Sequence, residues 1–242
     1  MRPNSDNGNQ IEPNSLSGSR AIIRGTIDAQ PSRTTDAMPT LFDIRSRIKT
    51  QLQPLVGKLV ALGATPAQLT WANLGLSAVV GALIAALPAV LPHTTQPLML
   101  LPLALLVRVV LDALADMLAE EHSPRAPRDI LLSEVSAAGC DLLLYLPLAL
   151  IPGVPGALVV ILVGLGLCTE LAGLAALRIG ASRRRDGPMG KTDRAIVFGL
   201  IGLILALDST AAAWLGWLLL PASAMALATI VNRLRQALAE AP

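Results

Sequence analysis

A chain of 242 residues that is 53% hydrophobic, 15% charged and only 2% aromatic, with a mean hydropathy of +0.59, is neither a disordered polymer nor a water-soluble domain. Of its 19 basic and 17 acidic residues, 13 fall in the first 60 positions, so the remaining 182 residues carry only 23 charges, clustered between long apolar runs. That distribution is expected of a polytopic membrane protein, and a net charge of +2 gives no reason to invoke a nucleic-acid partner.

Residues 1–37 are rich in Asn, Ser, Gly, Pro and Thr and contain no apolar stretch beyond Ala21-Ile22-Ile23. They are expected to be a disordered tail, with Met38 as an alternative translation start. In the following segment, 38–64, Leu41, Ile44, Ile48, Leu52, Leu55, Leu59 and Leu62 recur at spacings of three and four against Arg45, Arg47, Lys49 and Lys58. This predicts an amphipathic helix lying on an anionic membrane surface; the plainer alternative is a helix packed against the rest of the protein. Gly63 is placed to stop it, and Thr65-Pro66-Ala67-Gln68 supplies an N-cap, a first-turn proline and a capping-box glutamine for the next helix.

Residues 65–242 then carry six apolar spans, near 67–90, 97–119, 130–151, 155–177, 194–208 and 211–231, the fifth of them short. Most reach the roughly 20 residues that a hydrocarbon core of about 30 Å requires. The breaks at Pro88–Pro97, Pro152–Pro155 and Asp208–Thr210 hold no Lys or Arg, whereas Arg125, Arg128, Arg178 to Arg194, Arg233 and Arg235 all fall on the other set of ends. The positive-inside rule therefore predicts two cytoplasmic termini, consistent with an even number of spans. Cys140 and Cys168 sit in apolar segments and are read as small buried hydrophobes.

Arg108, Asp112, Asp116, Glu120, Glu134, Asp141 and Glu170 fall within spans or at their basic ends, where an unpaired charge costs about 2.5–3.5 kcal/mol even on lenient scales. Asp112, Asp116 and Glu120 form one stripe of the second span, with Arg108 a turn away to compensate Asp112; Glu134 and Asp141 form a second stripe on the third span. Two acidic helices could together hold a divalent cation, or Arg108, Arg125 and Arg128 could simply neutralise them. A transporter relay fits less well, because the charges gather near one membrane face. The segment from Ser182 to Arg194, with Arg184, Arg185, Gly190, Lys191 and Arg194, suits an anionic phosphate at a helix start, although the spacing is not a Walker loop; a purely topogenic basic loop is the alternative.

From Met38 onward the layout resembles the CDP-alcohol phosphatidyltransferase family: a surface helix, the Gly63-Ala64-Thr65-Pro66 lead into the first span, six spans and a Gly190-Lys191 loop. Its signature, D-x2-D-G-x2-A-R-x8-G-x3-D-x3-D, aligns without gaps from Asp112 to Ala137. The resemblance implies an all-α, commonly homodimeric membrane domain in the inner membrane. There two Mg²⁺ or Mn²⁺ ions on aspartates bind the pyrophosphate of a CDP-lipid such as CDP-diacylglycerol, a carboxylate helps activate an acceptor alcohol, and CMP leaves. It implies a metal or catalytic role for Asp112, and phosphate contacts from Arg184, Arg185, Lys191 and Arg194.

Only Asp112 and Ala119 match the eight fixed positions; Ala115, Asp116, Glu120, Asp129, Ser133 and Ala137 replace the rest. One of four signature aspartates survives, so conventional turnover is not expected unless Asp116, Glu120, Glu134 and Asp141 serve as substitute ligands. A residue displaced by one position points about 100° around the helix, which weakens Asp116 as a stand-in for an aspartate at 115. Two functions follow: a phospholipid-synthesising transferase with altered ligands, or a non-catalytic relative that binds lipid or a partner subunit.

Overall fold

The computed structural model describes residues 51–91, 94–121, 126–184 and 186–241. The tail at 1–37, the first part of the expected surface helix, and Arg125 and Arg185 lie outside the described residues. Among the described residues every regular element is helical. In chain order they are α1 (51–61), α2 (Pro66–Val90), α3 (Leu100–Glu121), α4 (Pro127–Tyr145), α5 (Gly156–Arg178), α6 (Lys191–Leu207) and α7 (Gly216–Glu240). Short 3₁₀ segments at Gln96–Met99, Leu146–Leu150 and Ser209–Ala213 extend or join them.

The predicted boundary between α1 and α2 forms as the residues dictate. Gly63 adopts a left-handed φ of 68°, which a side-chain-bearing residue resists. The Thr65 hydroxyl then accepts from the Gln68 N–H, and the Gln68 side chain accepts from the Thr65 N–H at 3.0 Å, closing a capping box. The apolar face of α1 does not lie open to lipid. Val56 is fully buried, and it packs with Leu52, Leu59 and Val60 against Leu69 of α2 and Leu114, Met117 and Leu118 of α3. Leu55 and Leu62 remain exposed.

Among the described residues, five helical segments are long and apolar enough to cross a membrane: Pro66–Val90, Gln96–Glu120, Pro127–Leu150, Gly156–Arg178 and Gly216–Glu240. Helix α6, predicted as the short fifth span, has 17 residues, and at 1.5 Å per residue it is about 26 Å long. The last span starts later and runs further than expected, because Asp208 caps a 3₁₀ turn: its carboxylate accepts from both the N–H and the hydroxyl of Thr210, which holds its pKa below the ordinary aspartate value. Trp71, Val79, Val107, Leu171, Ile196 and Trp217 point outward, the arrangement of a protein solvated by lipid.

Inside the bundle, Leu101, Leu144, Leu162, Phe198, Leu215 and Leu219 form a common core, with the Tyr145 and Phe198 rings stacked at 4.0 Å. Since lipid tails are as apolar as leucine, helix association in a bilayer depends on close packing by small residues. Helices α5 and α7 are in contact, and the buried residues of each are mostly small: Gly166, Thr169, Ala172, Gly173 and Ala176 on α5, and Ala222, Ser223, Ala226 and Thr229 on α7. Cys140 is buried as expected, but Cys168 is exposed, being carried on the face of α5 opposite to that packing.

Helix α2 meets α4 so closely at Gly81 that a Cβ there would stand 2.0 Å from the Leu143 carbonyl oxygen, whereas a Cβ at Gly75 of the same helix meets nothing within 4 Å. Gly81→Ala is expected to force these helices apart at a cost of about 1–3 kcal/mol, and Gly75→Ala to be neutral or mildly stabilising. Thermal unfolding of the two variants in detergent checks the difference.

Candidate functional site

A cavity of about 830 Å³ opens at the charged end of the bundle. It is walled by the first turns of α2 with Thr70 and Asn73, the second half of α3 with Asp112, Ala115 and Asp116, the first half of α4, the last turns of α5, and the start of α6. Five helices, α2 to α6, thus contribute to one space. All four aspartate positions of the aligned signature, occupied by Asp112, Ala115, Ser133 and Ala137, line this one space. Glu120 and Asp129 are not part of its lining.

Three acids of the wall, Asp112, Glu134 and Asp141, are each bonded to cations. Asp112 accepts from the Asn73 side-chain amide at 2.7 Å through one oxygen and from Lys191 Nζ at 2.8 Å through the other. Glu134 takes a two-pronged contact from the Arg183 guanidinium, which raises the pKa of that arginine further above its ordinary value and fixes its charge. Asp141 lies between two arginines, Arg108 at 2.6 Å and Arg194 at 2.9 Å. Arg108 is thus not the counter-ion of Asp112, as its spacing suggested. Its guanidinium crosses to α4, where it also donates to the Ala137 carbonyl at 3.1 Å.

Behind this layer the network continues. Arg194 donates to the Thr169 hydroxyl at 2.9 Å and reaches Glu170 at 3.4 Å, while Arg233 lies 3.8 Å from Glu170 and donates to the carbonyls of Thr169 and Asp186. Arg108, Arg194 and Arg233 are 3%, 1% and 2% exposed. Room for the Arg194 side chain exists because position 166 is glycine: a Cβ there would approach its Cδ and Nε to 2.8 Å.

The predicted phosphate-binding residues fare differently from one another. Lys191 starts α6 and faces the cavity, at a helix N-terminus where Gly190 donates to the Asp193 carboxylate at 2.8 Å. Arg194 lines the same wall but is committed to Asp141, Glu170 and Thr169. Arg184 is turned away to the end of α7, bonding the Gln236 carbonyl and Glu240. Asn73 and Thr169 were not anticipated, because a neutral polar residue in an apolar run carries no charge signal. The spacing of Thr70, Asn73 and Ser77 along one face of α2 was the available clue.

The proposed substitute ligands do not assemble into a metal centre. Among the described residues no three of His, Cys, Asp and Glu are grouped to hold an ion, and both Asp112 oxygens already have partners. Glu134 and Asp141 are likewise bonded to arginine. This donor set does not fit the two-metal arrangement that the resemblance implies.

Comparison with known proteins adds one relative. Over 201 residues, 82% of this chain and 96% of the other, the sequence is 34% identical to the inner membrane protein YnbA of Escherichia coli (strain K12). No family model matches the chain, and no solved structure matches it.

Breaking the innermost pairs strands a guanidinium in a region where charge is poorly solvated. Asp141→Asn is therefore expected to cost about 3–5 kcal/mol, and Lys191→Met, at the half-exposed pair, less than about 1 kcal/mol. Melting temperatures of the purified variants in one detergent test this ordering.

Proposed function

Since the chain belongs to the family of the inner membrane protein YnbA, we propose that it is an integral inner-membrane protein with a scaffold like that of the CDP-alcohol phosphatidyltransferases, binding a phospholipid head group without carrying out the usual phosphatidyl transfer. The observation carrying this reading is that Asp112, Ala115, Ser133 and Ala137 share one cavity while three of them have no carboxylate and the fourth is bonded to Lys191. Spacings of three and four put each pair on one helix face, and both faces line the same space. A transferase relying on two divalent ions needs the carboxylates that are missing.

In this reading α6 is the fifth of six crossings. The ends of α5 and α7 meet, through Ser182 to Glu240 at 2.9 Å and Arg233 to the Asp186 carbonyl, so α6 has to run back along the bundle between them. Both termini and the basic connections then face the cytoplasm. The predicted homodimer and the choice of CDP-diacylglycerol as ligand rest on the resemblance alone.

Two experiments test the proposal. Protein supplied with CDP-diacylglycerol, Mg²⁺ or Mn²⁺ and a panel of alcohols is expected to release no CMP above background. The combined replacement Ala115→Asp, Asp116→Gly, Glu120→Arg, Asp129→Gly, Ser133→Asp and Ala137→Asp is expected to introduce saturable Mn²⁺ binding, detected by electron paramagnetic resonance, followed by metal-dependent CMP release. Robust release by the unaltered protein refutes the non-catalytic reading. For topology, single cysteines labelled from outside intact cells are expected to react at Thr94 and not at Arg184; the reverse pattern inverts the orientation.

A further inference from the structure

The ion pairs of the cavity divide into closed and open ones. Those around Asp141 are sealed, whereas Lys191 and Asp112 keep 41% and 40% of their side-chain surface exposed. Lys191 spends one of its three N–H donors on Asp112, so two remain to be directed at a ligand. The start of α6 adds the positive end of a helix beside it.

Charge balance decides what such a pair accepts. Asp112, Glu134, Asp141 and Glu170 each already bond a protein cation, Asp141 and Glu170 sharing Arg194. A lone anion drawn to Lys191 has to share that one ammonium with Asp112 and adds a second negative charge beside it, on a half-exposed pair that water screens only in part. A divalent cation meets the converse obstacle, because it has to displace Lys191 and then finds no group of three ligands among the described residues. A ligand bearing both a phosphate and an ammonium avoids both penalties: phosphate replaces Asp112 at Lys191, ammonium replaces Lys191 at Asp112, and no charge is left unpaired. The cavity also has an apolar side, where Leu131 and Val135 of α4 and Leu171 of α5 are exposed and continue into the lipid-facing surface.

We propose that the cavity is a metal-independent binding site for a zwitterionic head group, with its phosphate on Lys191 and its ammonium on Asp112. This inference rests on the reading of the cavity as a head-group site, and it adds the ligand class and the independence from metal.

The full-length protein in detergent is titrated with short-chain phosphatidylethanolamine, short-chain phosphatidylglycerol, CDP-diacylglycerol and water-soluble phosphoethanolamine, each with EDTA and with Mg²⁺, and binding is read from the melting temperature and by native mass spectrometry. Phosphatidylethanolamine is expected to bind equally well in EDTA and Mg²⁺, and phosphatidylglycerol about tenfold or more weakly, the equivalent of one charged contact. Lys191→Met and Asp112→Asn are each expected to weaken phosphatidylethanolamine binding by about the same factor. The lipid selectivity of the unaltered protein decides the matter even where a variant folds poorly.

Equal or tighter binding of phosphatidylglycerol overturns the zwitterion assignment while leaving a lipid site in place. A requirement for Mg²⁺, or preferred binding of CDP-diacylglycerol with metal, overturns the metal independence and favours the transferase reading. Phosphoethanolamine binding as tightly as the lipid overturns a membrane source for the ligand. No binding of any lipid refutes both this inference and the head-group reading beneath it.

Discussion

Everything at the charged end of this bundle is organised around Asp141, held between the guanidinium groups of Arg108 and Arg194. A carboxylate on an apolar span has nowhere to go but to a cation, water or a ligand. Here it draws α3 and α6 onto α4, and Arg194 passes the connection through Glu170 to α5 and on to Arg233 of α7. Five helices are linked to one another by this chain of charges, in which removing one partner leaves another buried charge uncompensated. The network also explains local details: glycine at 166 admits Arg194, and Thr169 on the next turn accepts from it.

The same network determines what kind of cavity results. Carboxylates that gather divalent ions must be close together and otherwise unneutralised, because the ions supply the compensating charge. In this protein the compensation is covalently attached, as Lys191 on Asp112, Arg183 on Glu134 and the two arginines on Asp141. A tethered ammonium or guanidinium gives hydrogen bonds and charge, but it offers no open coordination position at which an oxygen is polarised. The site is therefore chemically suited to holding a head group, and poorly suited to gathering the ions that pyrophosphate cleavage in the resembling family uses.

Stability elsewhere comes from a different source. Between α5 and α7, and where α2 crosses α4 at Gly81, the helices approach through small residues, so that dispersion contacts replace the hydrophobic driving force that lipid cannot provide. Helix α1 is held by the same economy of surface. With Val56 fully buried on α2 and α3, just beside Ala115, it forms part of the wall structure behind the cavity, in addition to carrying exposed leucines at 55 and 62.

By itself the sequence determined what depends on neighbours within a few residues or on averaged hydropathy. Five of the six expected apolar spans, the stop at Gly63, the capping box at Thr65 and Gln68, and the helix start after Gly190 all follow from local chemistry, and each of these is present among the described residues. Several charged residues of the cavity, Asp112, Asp116, Glu134, Asp141, Lys191 and Arg194, were also legible, because charge in an apolar span is expensive enough to mark a site, whereas Asn73 carried no such signal and Glu120 and Arg184 lie outside the lining. Which acid meets which base was not. Arg108 is one helical turn from Asp112 in sequence, yet it bonds Asp141, 33 positions away; Lys191, 79 positions away, takes Asp112. Spacing along a helix states which side chains share a face, but the partner across a helix interface depends on how helices are rotated and how closely they approach. That is set by the small residues and the long arginine side chains packed between them, and only the tertiary structure decides it.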